Sequence, residues 1–288
     1  MEFRHVLFPV DFSRRAHGAA PRIKALARRF DAKVTLLHTA DLPGPWFVGM
    51  EAPMLPEIQW PEIEEEATKR MAQFAAAEFA GELVNTVVEQ GDPGTGIVDF
   101  AAENDVDLIA LPTHGRGMFR AALLGSVTAK VLHDALCPVW TDAHAEEVSP
   151  TNDGAWHSIL CAIDTGKECG NLLRAGAELR DRFGATVRLV HAVPGAEAGQ
   201  ERYLDLDFQR FLEDSARKSI AGLQQEAGTN FDVCLGAGSP SRVVAEAALH
   251  HDADLVVIGH GHLRGVAGRL RTHAYGIIRS APCPVLSL

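Results

Sequence analysis

The 288-residue chain is 47% apolar and 23% charged, enough for two ordinary domains that each bury a core, and its formal net charge is −11. That balance excludes a polyanion such as nucleic acid held on a broad basic surface, and no apolar run reaches the roughly 20 residues a membrane helix needs. Five cysteines, odd in number and without a CxxC pair, point to reduced thiols in the cytoplasm and not to a disulfide framework.

The first apolar run, HVLFPV, predicts a strand over residues 4–10 that closes on Asp11; it is too short for a signal-peptide core. Ser13 follows as a candidate helix start. KVTLLHTA predicts a second strand over 33–39 with His38 near its end. Residues 40–60 are rich in Pro and carry Trp46, Phe47, Met50, Met54 and Trp60. Such a segment can cover a ligand, bind another subunit, or pack over its own sheet. A third strand over 83–89 leads to Asp92, a second candidate helix start, and a fourth over 107–111 runs into LPTHGRGMFRAALLGSV. There Gly115 and Gly117 permit positive φ and close approach of a ligand, and Gly125-Ser126 open another helix. A fifth strand covers 137–141, and the polar linker DAHAEEVSPTNDGAW places a boundary near residue 150.

The same landmarks then recur. SILCAIDTG repeats HVLFPVDFS, and TVRLVHAV repeats KVTLLHTA, with one offset separating both Asp11 from Asp164 and His38 from His191. An offset shorter by six residues separates Pro93 from Pro240 and Asp107 from Asp254. Cys137 aligns with Cys283 in ALCPVW and APCPVL after the loss of one further residue. The expected organisation is therefore α/β: two tandem doubly wound domains, residues 1–143 and 155–288. Each holds a five-stranded parallel sheet in the order 3-2-1-4-5 flanked by helices, a Rossmann-like arrangement.

Ligands of such sheets bind beyond the carboxyl ends of the strands where the winding reverses, here between the first and fourth strands. Asp11 ends one and the glycine loop ends the other. The first N–H groups of a helix opening at Gly125-Ser126 favour an anion such as phosphate, and the hydroxyls of Ser126 and Thr128 can add hydrogen bonds. An ionised Asp11 accepts from a vicinal diol such as ribose. Phosphate on one side and sugar on the other outline a nucleotide. The loop is neither a Walker loop nor the dinucleotide fingerprint, and glycines that merely turn the chain remain an alternative.

The stretches HVLFPVDFS, VTLLH, GDPGTGIVDFA, DLIALPTHGRG and LLGSVTAKVLHDALCPV resemble the universal stress protein family in its tandem form, whose fold is that of the adenine nucleotide alpha hydrolases. ATP-binding members share G-x2-G-x9-G-[S/T], which Gly115, Gly125 and Ser126 match in register, with Pro112 in place of the first glycine. The resemblance implies an adenine nucleotide, ATP with or without Mg2+, in the first domain. Asp11 would meet the ribose and the backbone around Thr39 the adenine, with Pro9, Val10, Leu111, Pro112, His114, Gly115, Gly117, Gly125, Ser126, Val127 and Thr128 completing the site. It also implies a regulatory role read by a protein partner, and an intramolecular pseudo-dimer through the last strands, with a homodimer as a further option. In the second half Gly259 matches the first glycine, His262 or Gly261 the second, but Arg271 and Thr272 replace the Gly-Ser pair. A degenerate domain without an ordinary ATP site is expected there.

His114 can donate to phosphate or cap its loop. His38 and His191 read as structural hydrogen-bond donors, and His260, His262 and His273 as solvent-exposed, their spacing matching no standard zinc pattern. Cys137 and Cys283 read as packing residues. No catalytic constellation assembles, so weak ATP hydrolysis has no named catalyst; a fold-only interaction module is the competing class.

Overall fold

The computed structural model describes residues 1–41, 60–113, 124–144, 155–166, 169–195, 206–259 and 268–288, without the side chains of residues 206 and 268–272. Most of the 40–60 segment and His114, Gly115, Gly117, His260, Gly261 and His262 lie outside these, as do the side chains of Arg271 and Thr272.

The first half alternates β1 (His5–Pro9), α1 (Arg14–Phe30), β2 (Lys33–Ala40), α2 (Trp60–Glu78), β3 (Val84–Gln90), α3 (Pro93–Glu103), β4 (Leu108–Pro112), α4 (Ser126–Asp134) and β5 (Val139–Asp142). The second repeats the pattern as β6 (Ser158–Ala162), α5 (Cys169–Phe183), β7 (Thr186–Val193), α6 (Leu206–Ala227), β8 (Asp232–Ala237), α7 (Pro240–His250), β9 (Leu255–Ile258), α8 (Gly268–Ser280) and β10 (Val285–Ser287). Strand order is β3-β2-β1-β4-β5 in the first half and β8-β7-β6-β9-β10 in the second. The ladders β1·β2, β1·β4 and β2·β3 are parallel, as are their counterparts β6·β7, β6·β9 and β7·β8.

Local chemistry explains these elements. Ser13 caps α1 by accepting from the Ala16 N–H, and Asp31 in the left-handed region ends it. Ala16, Ala19, Ala20, Ile23, Leu26 and Phe30 recur at helical spacing and are buried. Asp92 caps α3 and Pro93 fills its first position, where the missing N–H costs nothing. Central strands need apolar side chains on both faces, and β4 is buried along its whole length; edge strand β3 leaves Asn85 and Thr86 exposed. Full burial of Leu7, Leu36 or Ile109 each stabilises by about 1.5–3 kcal/mol relative to exposure.

By their contacts, Glu2–Val139 form one compact unit, and Met1, Trp140–His144 and Ala155–Leu288 another. Inside the latter, Thr141 Oγ1 donates to the Val285 carbonyl at 3.3 Å. All five cysteines are free thiols. No described helix is long and apolar enough to cross a membrane.

Candidate functional site

Strand β1 ends at half-buried Pro9, and the Val10 N–H still bonds the Leu37 carbonyl at 2.8 Å, carrying the ladder one residue further. The chain then turns through Asp11 and Phe12. Asp11 Oδ1 accepts from the Ser13 N–H at 3.0 Å, and among the described residues the second carboxylate oxygen is left for another donor. Phe12 has φ 57°, a left-handed conformation that bulky residues rarely adopt. Its ring lies 4.6 Å from the His38 ring, and the Arg70 guanidinium sits 4.3 Å over it. His38 Nδ1 donates to the Val10 carbonyl at 2.7 Å. That bond fixes the tautomer and ties the β1 turn to β2, the structural role expected for this histidine.

Thr39, at the end of β2, is only 8% exposed, and its hydroxyl has no hydrogen-bond partner among the described residues. Its neighbour is the first turn of α3. A Cβ at Gly96 would stand 2.9 Å from Thr39 Cγ2 and 3.0 Å from Oγ1, so a side chain there collides with Thr39. Asp92 Oδ1 accepts from both the N–H and the hydroxyl of Thr95, which holds its carboxyl below the ordinary range.

On the facing side, Leu111 and Pro112 are buried. The Gly125 N–H donates to the Thr113 carbonyl at 3.0 Å, and Thr128 Oγ1 donates to the Pro112 carbonyl at 3.2 Å. These two bonds pin the first turn of α4 to the end of β4. The Thr128 hydroxyl thus spends its proton on the backbone; Ser126 is exposed and Val127 half-buried. Gly125 has φ −59°, which any residue can adopt. The N–H groups of Ser126, Val127 and Thr128 have no partner within the helix and carry its positive dipole end. Lys130 lays its stem across Gly94, where a Cβ would stand 2.5 Å from Lys130 Cδ.

So Pro9, Val10 and Asp11 at the end of β1, Thr39 at the end of β2, and Leu111, Pro112 and Gly125 to Thr128 around the end of β4 all belong to carboxyl ends of one sheet, at its winding reversal. Among the described residues no group of three or more His, Cys, Asp and Glu gathers to hold a metal.

The second half keeps the turn and changes its surroundings. Asp164 Oδ1 accepts from the Gly166 N–H at 2.9 Å, and His191 Nδ1 donates to the Ile163 carbonyl at 2.8 Å. Ala192, however, stands where the first half has Thr39, and Val243 where it has Gly96. Val243 is buried, and a Cβ at Gly236 would stand 2.6 Å from its Cγ1. Arg242 donates to the Ala237 carbonyl at 2.5 Å and to Glu246 at 2.9 Å, close against Gly238. These exchanges lie outside the glycine loop. They stand in the aligned repeats, at positions the motifs do not include.

A model described as the universal stress protein family matches residues 2–141 and again 155–288. The chain belongs to the universal stress protein family. A universal stress protein of Methanocaldococcus jannaschii is 33% identical over 144 residues, 48% of this chain and 80% of that relative. One from Mycobacterium tuberculosis strain H37Rv is 28% identical over 190 residues, 64% of this chain and 62% of the relative. The crystal structure of a universal stress protein from Archaeoglobus fulgidus superposes with a TM-score of 0.68 at 19% identity, covering 99% of this chain and 96% of that one; it shares the fold.

Proposed function

We propose that this universal stress protein binds one adenine nucleotide, ATP with or without Mg2+, in a domain spanning residues 1–143, while residues 155–288 form a degenerate domain without an ordinary ATP site. The observation that carries this reading is Thr39: a buried hydroxyl without a partner among the described residues, at the carboxyl end of β2. Such a group costs about 1–3 kcal/mol until something bonds to it. Loss of that hydroxyl at Ala192 and the filling side chain of Val243 support the asymmetry between the halves.

The residues fit the group. Asp11 would offer its second carboxylate oxygen to the ribose diol, Thr39 a donor and acceptor to the base, and the N–H groups opening α4 would donate to phosphate oxygens. His114, Gly115 and Gly117 would complete the phosphate loop. Occupancy would alter a surface read by a regulatory protein partner, in the cytoplasm. Native purification followed by mass spectrometry of released small molecules tests the reading: the wild type should carry an adenine nucleotide, and Asp11→Ala should lose it while keeping its fold. A folded Asp11→Ala protein that retains nucleotide at wild-type occupancy contradicts it.

We extend the proposal to an intramolecular pseudo-dimer through β5 and β10, supported by the tandem family match and by the company Trp140–His144 keep with the second half. Amide exchange at high dilution should find both strands protected; a freely exchanging β5 or β10 sinks it.

A further inference from the structure

Away from the carboxyl-end crevice, the second half holds a pair of chemically complementary side chains. Cys234 Sγ lies 3.1 Å from His251 Nε2. Cys234 sits on edge strand β8 and is half-buried; His251 ends α7, its N–H bonded to the Ala247 carbonyl and its own carbonyl accepting from Ser158 Oγ at 2.9 Å. Both backbones are therefore held. Cys234 is registered opposite Val190, and Asp232 opposite Arg188. Residues two apart on a strand share a face, so Arg188, Asp232 and Cys234 all lie on the face where His251 meets the thiol.

The hydrogen bond gives the thiol proton an acceptor, against an electrostatic cost. Burial, with Arg188 and His250 nearby, keeps His251 below the ordinary histidine value and so neutral, able to accept from the S–H. Burial holds the Cys234 thiol above its ordinary value, Asp232 adding to the rise and Arg188 and Arg217 offsetting only part of it, so His251 takes the proton as the sulfur attacks and not before. The remaining cysteines lack this setting. Burial pushes Cys161 and Cys283 up to about 12 and Cys137 and Cys169 up to about 11. The first half has Val87, Asn104 and Thr35 at the positions of Cys234, His251 and Arg188, so the thiol is not repeated there, and the imidazole beside Asn104 and Thr35 is that of His5, on another strand.

We propose that Cys234 is an oxidation site for small hydroperoxides, with His251 as proton acceptor. The thiol proton passes to His251 Nε2 and the sulfur attacks one peroxide oxygen. An S–O bond forms, the O–O bond breaks, and the departing hydroxide or alkoxide takes the proton back from the imidazolium. Cysteine sulfenic acid and water or alcohol result; sulfur loses two electrons and the peroxide gains them. The Arg188 cation eases charge onto the departing oxygen. A degenerate nucleotide crevice would then sit in a domain with a chemistry of its own.

The test treats the full chain with limiting hydrogen peroxide, traps sulfenic acid with dimedone, and reads all five cysteines by peptide mass spectrometry. Cys234 should label first and most. His251→Asn copies the residue the first half already carries, so the fold should survive; its Cys234 labelling should slow by roughly tenfold or more, the scale of general-base assistance. Arg188→Thr, again the first half's choice, should slow it less. Labelling that favours Cys137 or any other cysteine overturns the proposal. So does an unchanged Cys234 rate in folded His251→Asn.

Discussion

In the proposed site, Thr39 would set binding against stability at a single hydroxyl. It is buried without a partner among the described residues; a bound nucleotide would give it one. Thr39→Val keeps the shape and removes the hydroxyl. The variant should melt higher than wild type without ligand, by the equivalent of about 1 kcal/mol, and bind ATP more weakly. Thermal melts with and without ATP read both effects; a lower ligand-free melting point would show that the hydroxyl is already satisfied. His5 is a second residue with a measurable signature. Buried at 4% exposure, its Nδ1 donates to the Asn104 carbonyl at 3.0 Å and its Nε2 accepts from Thr35 at 2.9 Å. Burial lowers its pKa below the ordinary 6.5, despite the Asn104 bond. The unfolded chain then binds more protons in the window below 6.5, so stability is full above that pH and falls as the solution is acidified. Relative to His5→Gln, wild type should lose up to about 1.4 kcal/mol per pH unit there, read by urea unfolding at pH 7.5 and 5.5. Parallel pH profiles would remove His5 as the titrating group.

At the scale of elements, the contact between β2 and the first turn of α3 distinguishes the two halves. Gly96→Val alone places a side chain against Thr39 and should cost about 1–3 kcal/mol. Adding Thr39→Ala reproduces the Ala192 and Val243 combination and should recover most of that loss. Denaturant unfolding of the two singles and the double gives the coupling; strictly additive effects would mean the two sites do not pack together. The same contact marks the limit of what the sequence discloses. Ser13, Asp92 and Gly125 open their helices where the sequence predicts, because capping is local chemistry within three residues. Central strands β1 and β4 fall within about one residue of expectation because parallel central strands must be continuously apolar. The destination of the Thr128 hydroxyl, the pairing of Cys234 with His251, and the collision between Gly96 and Thr39 depend on elements brought together only by folding. No local pattern announces them, although the Thr39/Ala192 and Gly96/Val243 differences stand in the aligned repeats.

For the whole molecule, duplication supplies the explanatory frame. Two copies of one universal stress domain share strand order, the aspartate turn and its histidine tie, down to matching hydrogen bonds of 2.7 and 2.8 Å. They part at the residues around the crevice and at the Cys234–His251 pair, which fits the proposed division of labour: one domain for nucleotide, the other released from it. Calorimetric titration of the full chain with ATP tests this most directly. One nucleotide should bind per chain, with binding abolished by Asp11→Ala and untouched by Asp164→Ala. Two equivalent sites, or loss of binding on Asp164→Ala with Asp11→Ala silent, would contradict it.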